Sequence, residues 1–433
     1  MIDRGIVHQT TVIKNIYMNN KKLSLAIAAA LVTPLATHAE VKLSGLIQAE
    51  AVSWEAADGN QKAEIYKNGT SLGNDHDSQM LTNDAAGAVL NEGPNALQFD
   101  IEEKLGGGMS AFARYAAAFN TSGNQGLNAG TAEAFVGLGT QSFSIRYGTM
   151  VGAYKSSVEH IDPWLYTSLQ ASGSAGGMTG ENHNCVTFGV GTNKGECFDK
   201  NGQTIPLSTG HDAAVATGHQ VNYGGGMGLT NEGFVEGALD LGVKVGGFEG
   251  HLQGVIDDAS AMDGAGLVEL KYSIPNTFAV WLAGAFTDLD DAKTTVGAAT
   301  TTVGDGYNWK IGGNYQVGSM MKIGLQYEEA ELGAFDGDIN PDGGQYIMGS
   351  LDLTMSNVTL AGWVAGYLSD IDDGKRIIDA AGNRLDEDAL SWALGAKYHF
   401  SKRTQIYAGY RLTDSDNDYR DEEAITMGIR HTF

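Results

Sequence analysis

The feature that most constrains this chain is an alternation of apolar and polar residues, which recurs in segments of about ten residues from Val41 to the C-terminus. In the first segment Leu43 and Ile47 share the face of Val41, whereas Lys42 and Gln48 lie on the other face. A period of two indicates a β-strand with one apolar face. A soluble β-sandwich has the same period, so the number of strands and their connections must decide between a sandwich and a membrane barrel.

The connections between these segments are of two alternating kinds. One kind is very short, as at 106–108, 140–141, 246–247, 276–277, 319–320, 356–357 and 402–403. The other kind is long and acidic, as at 57–94, 288–307, 329–344, 369–388 and 413–423. Short turns at one end and long loops at the other are typical of outer-membrane barrels, with the short turns in the periplasm and the long loops extracellular.

This layout predicts an all-β fold, a transmembrane antiparallel β-barrel of sixteen strands. An even number of strands brings both ends of the chain to the periplasmic side. A strand-like piece at 219–223 raises the count to eighteen if it opens a further hairpin. The predicted strands are 41–55, 95–105, 109–120, 131–139, 143–150, 234–245, 248–257, 266–275, 278–287, 307–317, 321–328, 345–355, 358–368, 389–400, 404–412 and 424–433.

The segment 18–39 has the three parts of a secretory signal peptide. Lys21 and Lys22 precede an apolar stretch from Leu23 to Val32. Small residues at Thr37 and Ala39, three residues and one residue before the predicted cleavage site, indicate cleavage in front of Glu40. A short buried helix is the alternative interpretation of the apolar stretch. The charged flank and the cleavage site favour the signal peptide.

The remaining chain is predicted to form one domain. Residues 1–17 precede the methionine that we take as the true start, so we treat them as an N-terminal extension outside the fold. Beyond the signal peptide no apolar run is long enough for a transmembrane helix. No linker rich in proline or serine divides residues 40–433, which we assign to a single barrel.

The charge of the chain excludes one class of partner. The formal net charge is −25 at pH 7, whereas a nucleic-acid partner requires clustered lysine and arginine.

The spacing of Cys185 and Cys197 is not that of zinc ligands, so neither a metal site nor a cofactor is predicted. In an oxidising periplasm these two cysteines form a local disulfide or remain as two thiols.

Four features resemble the trimeric porin family of Gram-negative bacteria. Glu40–Gly45 resembles the family's first strand, and Ser144–Gly148 resembles the fifth strand, which leads into the constriction loop. The segment 151–233 occupies the place of that third loop. The last strand ends on Phe433 and looks like the family's terminal assembly signal.

The resemblance implies an inward-folded third loop that faces basic residues on the barrel wall. Strand parity places Arg114 and Arg146 on the inner face, and it also places there Lys42 and Arg430, from the two strands that close the barrel. We expect Arg114 and Arg146 to face two acidic residues of the loop, Glu159 and Asp162. The alternative is that all six are solvated lumen charges without a special role.

The function implied by the resemblance is passive diffusion of small hydrophilic solutes and ions through a water-filled channel of the outer membrane. The acidic chain predicts a mild cation preference. The implied partners are two further copies in a homotrimer, lipopolysaccharide and outer-membrane lipid, and the periplasmic chaperones and barrel-assembly machinery during biogenesis. A substrate-specific channel, an outer-membrane enzyme and a non-conducting adhesin are the alternatives. The histidines are scattered and no HExxH motif is present, so no catalytic residue is assigned.

Overall fold

The computed structural model describes residues 39–56, 66–67, 70–71, 76–81, 95–119, 130–171, 197–198, 204–205, 234–256, 265–287, 293–296, 299–302, 306–331, 344–369, 388–415 and 422–433. The predicted N-terminal extension, all but the last residue of the predicted signal peptide, the candidate strand at 219–223 and Cys185 lie outside these residues. Their assignments therefore stay predictions. Among the described residues no helix is long and apolar enough to cross a membrane.

The predicted all-β barrel of sixteen strands is confirmed. The barrel strands are β1 Glu40–Ala56, β2 Ala96–Gly106, β3 Met109–Ala118, β4 Gly130–Gly139, β5 Phe143–Val151, β6 Phe234–Val245, β7 Phe248–Val255, β8 Ala265–Ile274, β9 Phe278–Thr287, β10 Gly306–Val317, β11 Met321–Glu331, β12 Gly344–Met355, β13 Val358–Ser369, β14 Ala389–His399, β15 Thr404–Ser415 and β16 Glu422–Thr432. Each overlaps its predicted segment almost completely, because alternation marks a strand along its whole length.

The sheet closes without an edge. Each strand pairs antiparallel with the next, and β1 closes the ring on β16, where Leu46 lies opposite Thr432. Strands β5 and β6 pair directly with each other, from Phe143 opposite Val243 to Phe234 opposite Val151, although the long third loop separates them in sequence. Because these two strands are direct neighbours, no additional hairpin lies between them, and the alternative of eighteen strands is wrong.

The outer face of the barrel is apolar. Leu325, Met427 and Val136 expose 64%, 65% and 61% of their surface on this face, as expected of side chains that contact lipid in the membrane. Their neighbours along each strand point into the lumen. Gln326 and Thr426 beside them are almost fully buried there.

A side-chain amide repairs a gap in the sheet beside β1. The N-terminal half of β1 pairs with β2 up to Leu46, and further along β1 pairs with the short strand His76–Leu81. Between these two partners Asn95 accepts a hydrogen bond from the Gln48 N–H through Oδ1 at 2.6 Å and donates one through Nδ2 to the Gln48 carbonyl at 3.2 Å. The amide thus takes the place of a backbone group in the ladder.

Replacing Asn95 with alanine should lower the free energy of unfolding by about 1–3 kcal/mol, because it leaves a buried N–H and a buried C=O without partners. The measurement is a urea unfolding curve of the protein refolded in detergent. Asn95→Asp keeps the acceptor but sets a buried carboxylate oxygen against the Gln48 carbonyl, so it should not restore the stability of wild type. A curve for Asn95→Ala that coincides with wild type would show that the bridge does not contribute to stability.

The third loop enters the lumen directly after β5. Its described part, the third-loop segment (152–171), begins with the short helix α1 Ala153–Ser156 and a 3₁₀ turn Ser157–His160. Ile161, Trp164 and Leu169 then pack on inward-facing residues of the far wall. The wall residues of this apolar cluster are Trp281, Tyr346, Met348, Ala361, Trp363, Ala365, Tyr367, Ala393 and Tyr407.

Two glycines make room for the third-loop segment on β14 and β15. Gly395 and Gly409 lie opposite each other in the sheet. A Cβ at Gly395 would lie 2.7 Å from Cζ2 of Trp164, and one at Gly409 would lie 2.5 Å from Cδ1 of Leu169. Glycine within a strand often marks a close approach of another segment, and here that segment is the loop.

Candidate functional site

The base of the third-loop segment is fixed by polar contacts to the wall. The N–H of Ala153 donates to Oε1 of Gln253 on β7 at 2.7 Å. The Lys310 ammonium on β10 lies 3.9 Å from the ring centroid of Tyr154, and both side chains are buried. A cation held over an aromatic face away from water attaches α1 to this side of the barrel.

The middle of the segment is fixed by indole groups and by a buried carboxylate. Trp164 Nε1 donates to the Ala361 carbonyl at 3.3 Å, and Trp363 Nε1 donates to the Leu169 carbonyl at 2.7 Å. The buried Glu50 of β1 accepts a hydrogen bond from the Ser168 hydroxyl at 2.7 Å. These contacts hold the segment against β12–β16 and β1, on one side of the lumen.

The opposite side of the lumen is open. A cavity of about 590 Å³ lies between the third-loop segment and the inner faces of β1–β5, β7 and β8. We call it the lumenal cavity. Its ionisable lining residues are Arg114, Glu133, Arg146, Glu159, His160, Tyr166, Glu249, His251, Glu269 and Lys271.

The two predicted arginines lie on the wall of the lumenal cavity, and both are ion-paired. Arg114 contacts Asp100 at 2.7 Å and Glu133 at 2.9 Å. Arg146 contacts Asp240 at 2.9 Å. Both guanidinium groups lie near the ring of Phe135, at 5.6 Å and 5.0 Å from its centroid. At these distances both cations are attracted to the face of this ring.

The carboxylates of the lining outnumber its permanent cations by one, since four glutamates oppose two arginines and one lysine. Glu249 pairs with Lys271 at 3.0 Å, and Glu269 lies 3.2 Å from His160. Glu159, on the third-loop segment, is the one lining carboxylate without an ion pair to any residue that the structure describes. Its negative charge is therefore the least compensated in the cavity.

Glu159 titrates in an environment that disfavours its charge. Residue Glu159 is exposed on the lumenal cavity, yet the surrounding loop and wall limit its solvation, and this desolvation raises the pKa of its carboxyl above the ordinary value. The Glu269 carboxylate raises the pKa as well. His160, Lys155 and a hydrogen bond from Tyr166 lower the pKa, and desolvation prevails.

The structure separates the two acidic residues that were expected to face the arginines. Arg114, Arg146 and Glu159 line the same cavity. Asp162 does not, and this part of the expectation needs correction. Its buried carboxylate accepts hydrogen bonds from the N–H groups of Trp164 at 2.8 Å and Ala171 at 2.7 Å, because the loop needs an acceptor to close its own turn.

The other predicted positions lie at the seam between β1 and its neighbours. Lys42 is exposed and lies opposite Asp100 of β2. Arg430 contacts loop carbonyls rather than the cavity. Phe433 exchanges two backbone hydrogen bonds with Gly45, and its role in assembly stays a prediction.

The proposed disulfide also stays a prediction. Cys197 belongs to a short strand, Cys197–Phe198, that pairs with Thr204–Ile205, and Cys185 is outside the described residues. Within the part of the chain that the structure describes, no three His, Cys, Asp or Glu side chains come together as a metal site would require.

Sequence reasoning assigned neither Phe135 nor Tyr166 to the site. Phe135 has the inward parity of Glu133 on β4, and an aromatic residue on an otherwise polar inner face was a usable signal. Tyr166 gave no such signal. Its φ of 65° depends on contacts that only the folded loop provides.

Comparisons with known proteins agree with this geometry. Residues 25–418 match the family model described as Gram-negative porin. No curated protein matches the chain. Among solved structures, an anion-selective porin from Comamonas acidovorans is 16% identical with a TM-score of 0.55, covering 92% of this chain and all of that one.

Two further solved structures show the same fold. In-vitro folded OmpT of Vibrio cholerae, in its trimer form, is 12% identical with a TM-score of 0.52, covering 91% of this chain and 99% of that one. The outer membrane channel DcaP of Acinetobacter baumannii is 12% identical with a TM-score of 0.52, covering 93% of this chain and 99% of that one. At these identities the similarity concerns the fold alone.

Proposed function

Because this chain belongs to the Gram-negative porin family and is an outer-membrane channel protein, we propose that it passes small hydrophilic solutes and ions by passive diffusion, with a mild preference for cations. The observation that carries this proposal is the lumenal cavity. It is lined by ionisable side chains of both signs and lies between a firmly attached loop and the wall, and a barrel of sixteen strands is too wide for its own side chains to fill.

The sign of the preference follows from the pairing of charges. The two arginines and Lys271 each contact a carboxylate, so their fields are largely cancelled at the distance of a passing ion. Glu159 has no such partner among the described residues. A passing cation therefore meets a less compensated charge than an anion does, and salt reduces this difference by screening.

Two alternative functions differ from this proposal. A substrate-specific channel of the same fold would differ only in the lining of the cavity. An outer-membrane enzyme receives less support, because the family and the solved structures of the same fold point to a channel.

The proposed assembly is a homotrimer in contact with lipopolysaccharide and outer-membrane lipid. Its support is the trimeric family and the trimer form of the Vibrio cholerae protein, which shares the fold. Delivery by periplasmic chaperones and the barrel-assembly machinery is part of the same proposal. The predicted absence of a nucleic-acid partner also stays a prediction.

Planar-bilayer recording under a potassium chloride gradient tests the proposal. Stepwise openings in groups of three, with a reversal potential of the sign for cations, would support it. A reversal potential of the opposite sign would contradict the cation preference, but it would not contradict the channel function. Folded protein without any conductance would contradict the channel function itself and favour the adhesin or the enzyme.

Acidification should reduce the cation preference at a pH above that at which an ordinary surface glutamate titrates. The reason is the raised pKa of Glu159, which takes up a proton and loses its charge earlier as the pH falls. The reversal potential recorded from neutral to mildly acidic pH measures the effect. Most of this pH dependence should disappear in Glu159→Gln. If the variant keeps it, another group is responsible.

A further inference from the structure

The tip of the third-loop segment is attached to the seam where the barrel closes. The Tyr166 carbonyl accepts hydrogen bonds from Nε2 of Gln48 on β1 at 2.6 Å and from Arg430 on β16 at 3.2 Å. Arg430 also donates to the Leu165 carbonyl at 3.0 Å and to Oε1 of Gln48 at 2.5 Å. A single guanidinium thus connects β1, β16 and the loop.

These contacts hold Tyr166 in a conformation that tyrosine rarely adopts. Its φ is 65°, in the left-handed region, where a side chain with a Cβ is strained. Its N–H donates to Oε1 of Gln170 at 2.9 Å, so both backbone polar groups are engaged. Strain of this kind persists only where surrounding contacts determine the conformation, and it is concentrated at functional sites.

The consequence of this conformation is the position of the phenol. Tyr166 lines the lumenal cavity, and its hydroxyl lies 3.5 Å from Oε1 of Glu159, close enough to donate a weak hydrogen bond. The backbone carbonyl faces the wall while the side chain faces the charged group that we propose to set the ion preference. Release of the carbonyl would let the residue return to an ordinary φ and move the hydroxyl away.

We propose that Arg430 is a positioning residue for selectivity, which acts through Tyr166 by holding its hydroxyl on the carboxylate of Glu159. This inference rests on the proposed function. Arg430 itself contacts carbonyls and an amide at hydrogen-bond distance rather than the cavity. Its contribution to permeation is therefore geometric, in contrast to that of the cavity-lining Arg114 and Arg146.

The measurable result is the pH at which the cation preference is half lost. A donor on a carboxylate stabilises the charged form, so removing the phenol hydroxyl makes Glu159 easier to protonate. Tyr166→Phe should raise the midpoint. Arg430→Gln should raise it similarly, and the double variant should not raise it further.

The other titratable or charged groups around Glu159 are Lys155 and His160 on its own segment, Glu269 of β8, and more distantly Glu133, Arg114, Arg146, Glu249, His251 and Lys271 of the wall.

Lys397→Gln is the matched control. Lys397 is another basic side chain of the inner wall that donates to a loop carbonyl, that of Pro163, and it lies over the ring of Trp164 at 4.7 Å. The variant removes the same charge and loosens the same segment without touching Tyr166. Its midpoint should equal that of wild type. An equal shift in Lys397→Gln and Arg430→Gln, or additive shifts in the double variant, would overturn the proposal.

Hydrogen exchange of the folded protein in detergent gives a second measurement that does not need conduction. Arg430→Gln should accelerate exchange at the amide of Tyr166. If the arginine variant folds poorly, Gln48→Ala replaces it, and the same acceleration is expected. Unchanged exchange would contradict the attachment of Tyr166 whatever the channel does. A wild-type protein that shows no conductance would contradict the proposed function, and exchange would then decide on the attachment alone.

Discussion

Replacing Trp164 with alanine should detach the third-loop segment from the inner wall and increase both the conductance and the current noise of the single channel. The indole is almost fully buried between the wall strands, at 1% exposure, and its Nε1 donates to the Ala361 carbonyl. Loss of a buried tryptophan costs about 3–5 kcal/mol. Since the barrel ladder does not involve this side chain, the loss falls on the attachment of the loop.

The control for this prediction is Trp392→Ala. Trp392 lies on the outward face of β14 between Leu390 and Leu394 and is tilted against Tyr410 at 5.3 Å between ring centroids. This variant removes an equal amount of aromatic surface from the lipid side, so it should leave conductance and noise unchanged. Single-channel recordings of both variants test the prediction, and the heat-modifiable mobility of each variant on a gel shows whether it is folded. If Trp164→Ala folds and conducts as wild type does, the third-loop segment does not limit the current.

The barrel was predictable because its determinants are local. Alternation along β10 or β14 specifies the strand and its outer face without reference to any other part of the chain. The same parity placed Arg114 and Arg146 on the inner face. Parity does not specify depth or partners, however, and so it assigned Lys42 and Arg430 the same role as these two arginines.

The position of the loop was less predictable because its determinants are tertiary. Along β13 the inward residues Trp363, Ala365 and Tyr367 are as apolar as the outward ones. A strand that is apolar on both faces does not fit a water-filled lumen, and this contradiction marks the surface on which Trp164 and Leu169 pack. The internal role of Asp162 carries no comparable signal, since an acidic loop residue is equally common facing solvent.

Replacing Glu159 with glutamine should reduce the cation preference of the channel by roughly twofold. A unit charge about 5 Å from a passing ion changes its energy by just under 1 kcal/mol in water, and salt screening lowers this value. Glutamine keeps the size and the hydrogen-bonding oxygen, so the third-loop segment should remain attached. The reversal potential under a salt gradient measures the change directly.

Glu103→Gln provides the same change of charge outside the lumen. Glu103 shares the outward face of Ile101 on β2, near the short turn that follows that strand. If the acidity of the whole chain sets the ion preference, the two variants should shift the reversal potential equally. If the least compensated carboxylate of the lumenal cavity sets it, only Glu159→Gln should shift it. An ion that passes through the cavity is close to Glu159 for part of its path and is separated from Glu103 by the wall, so we expect the second outcome.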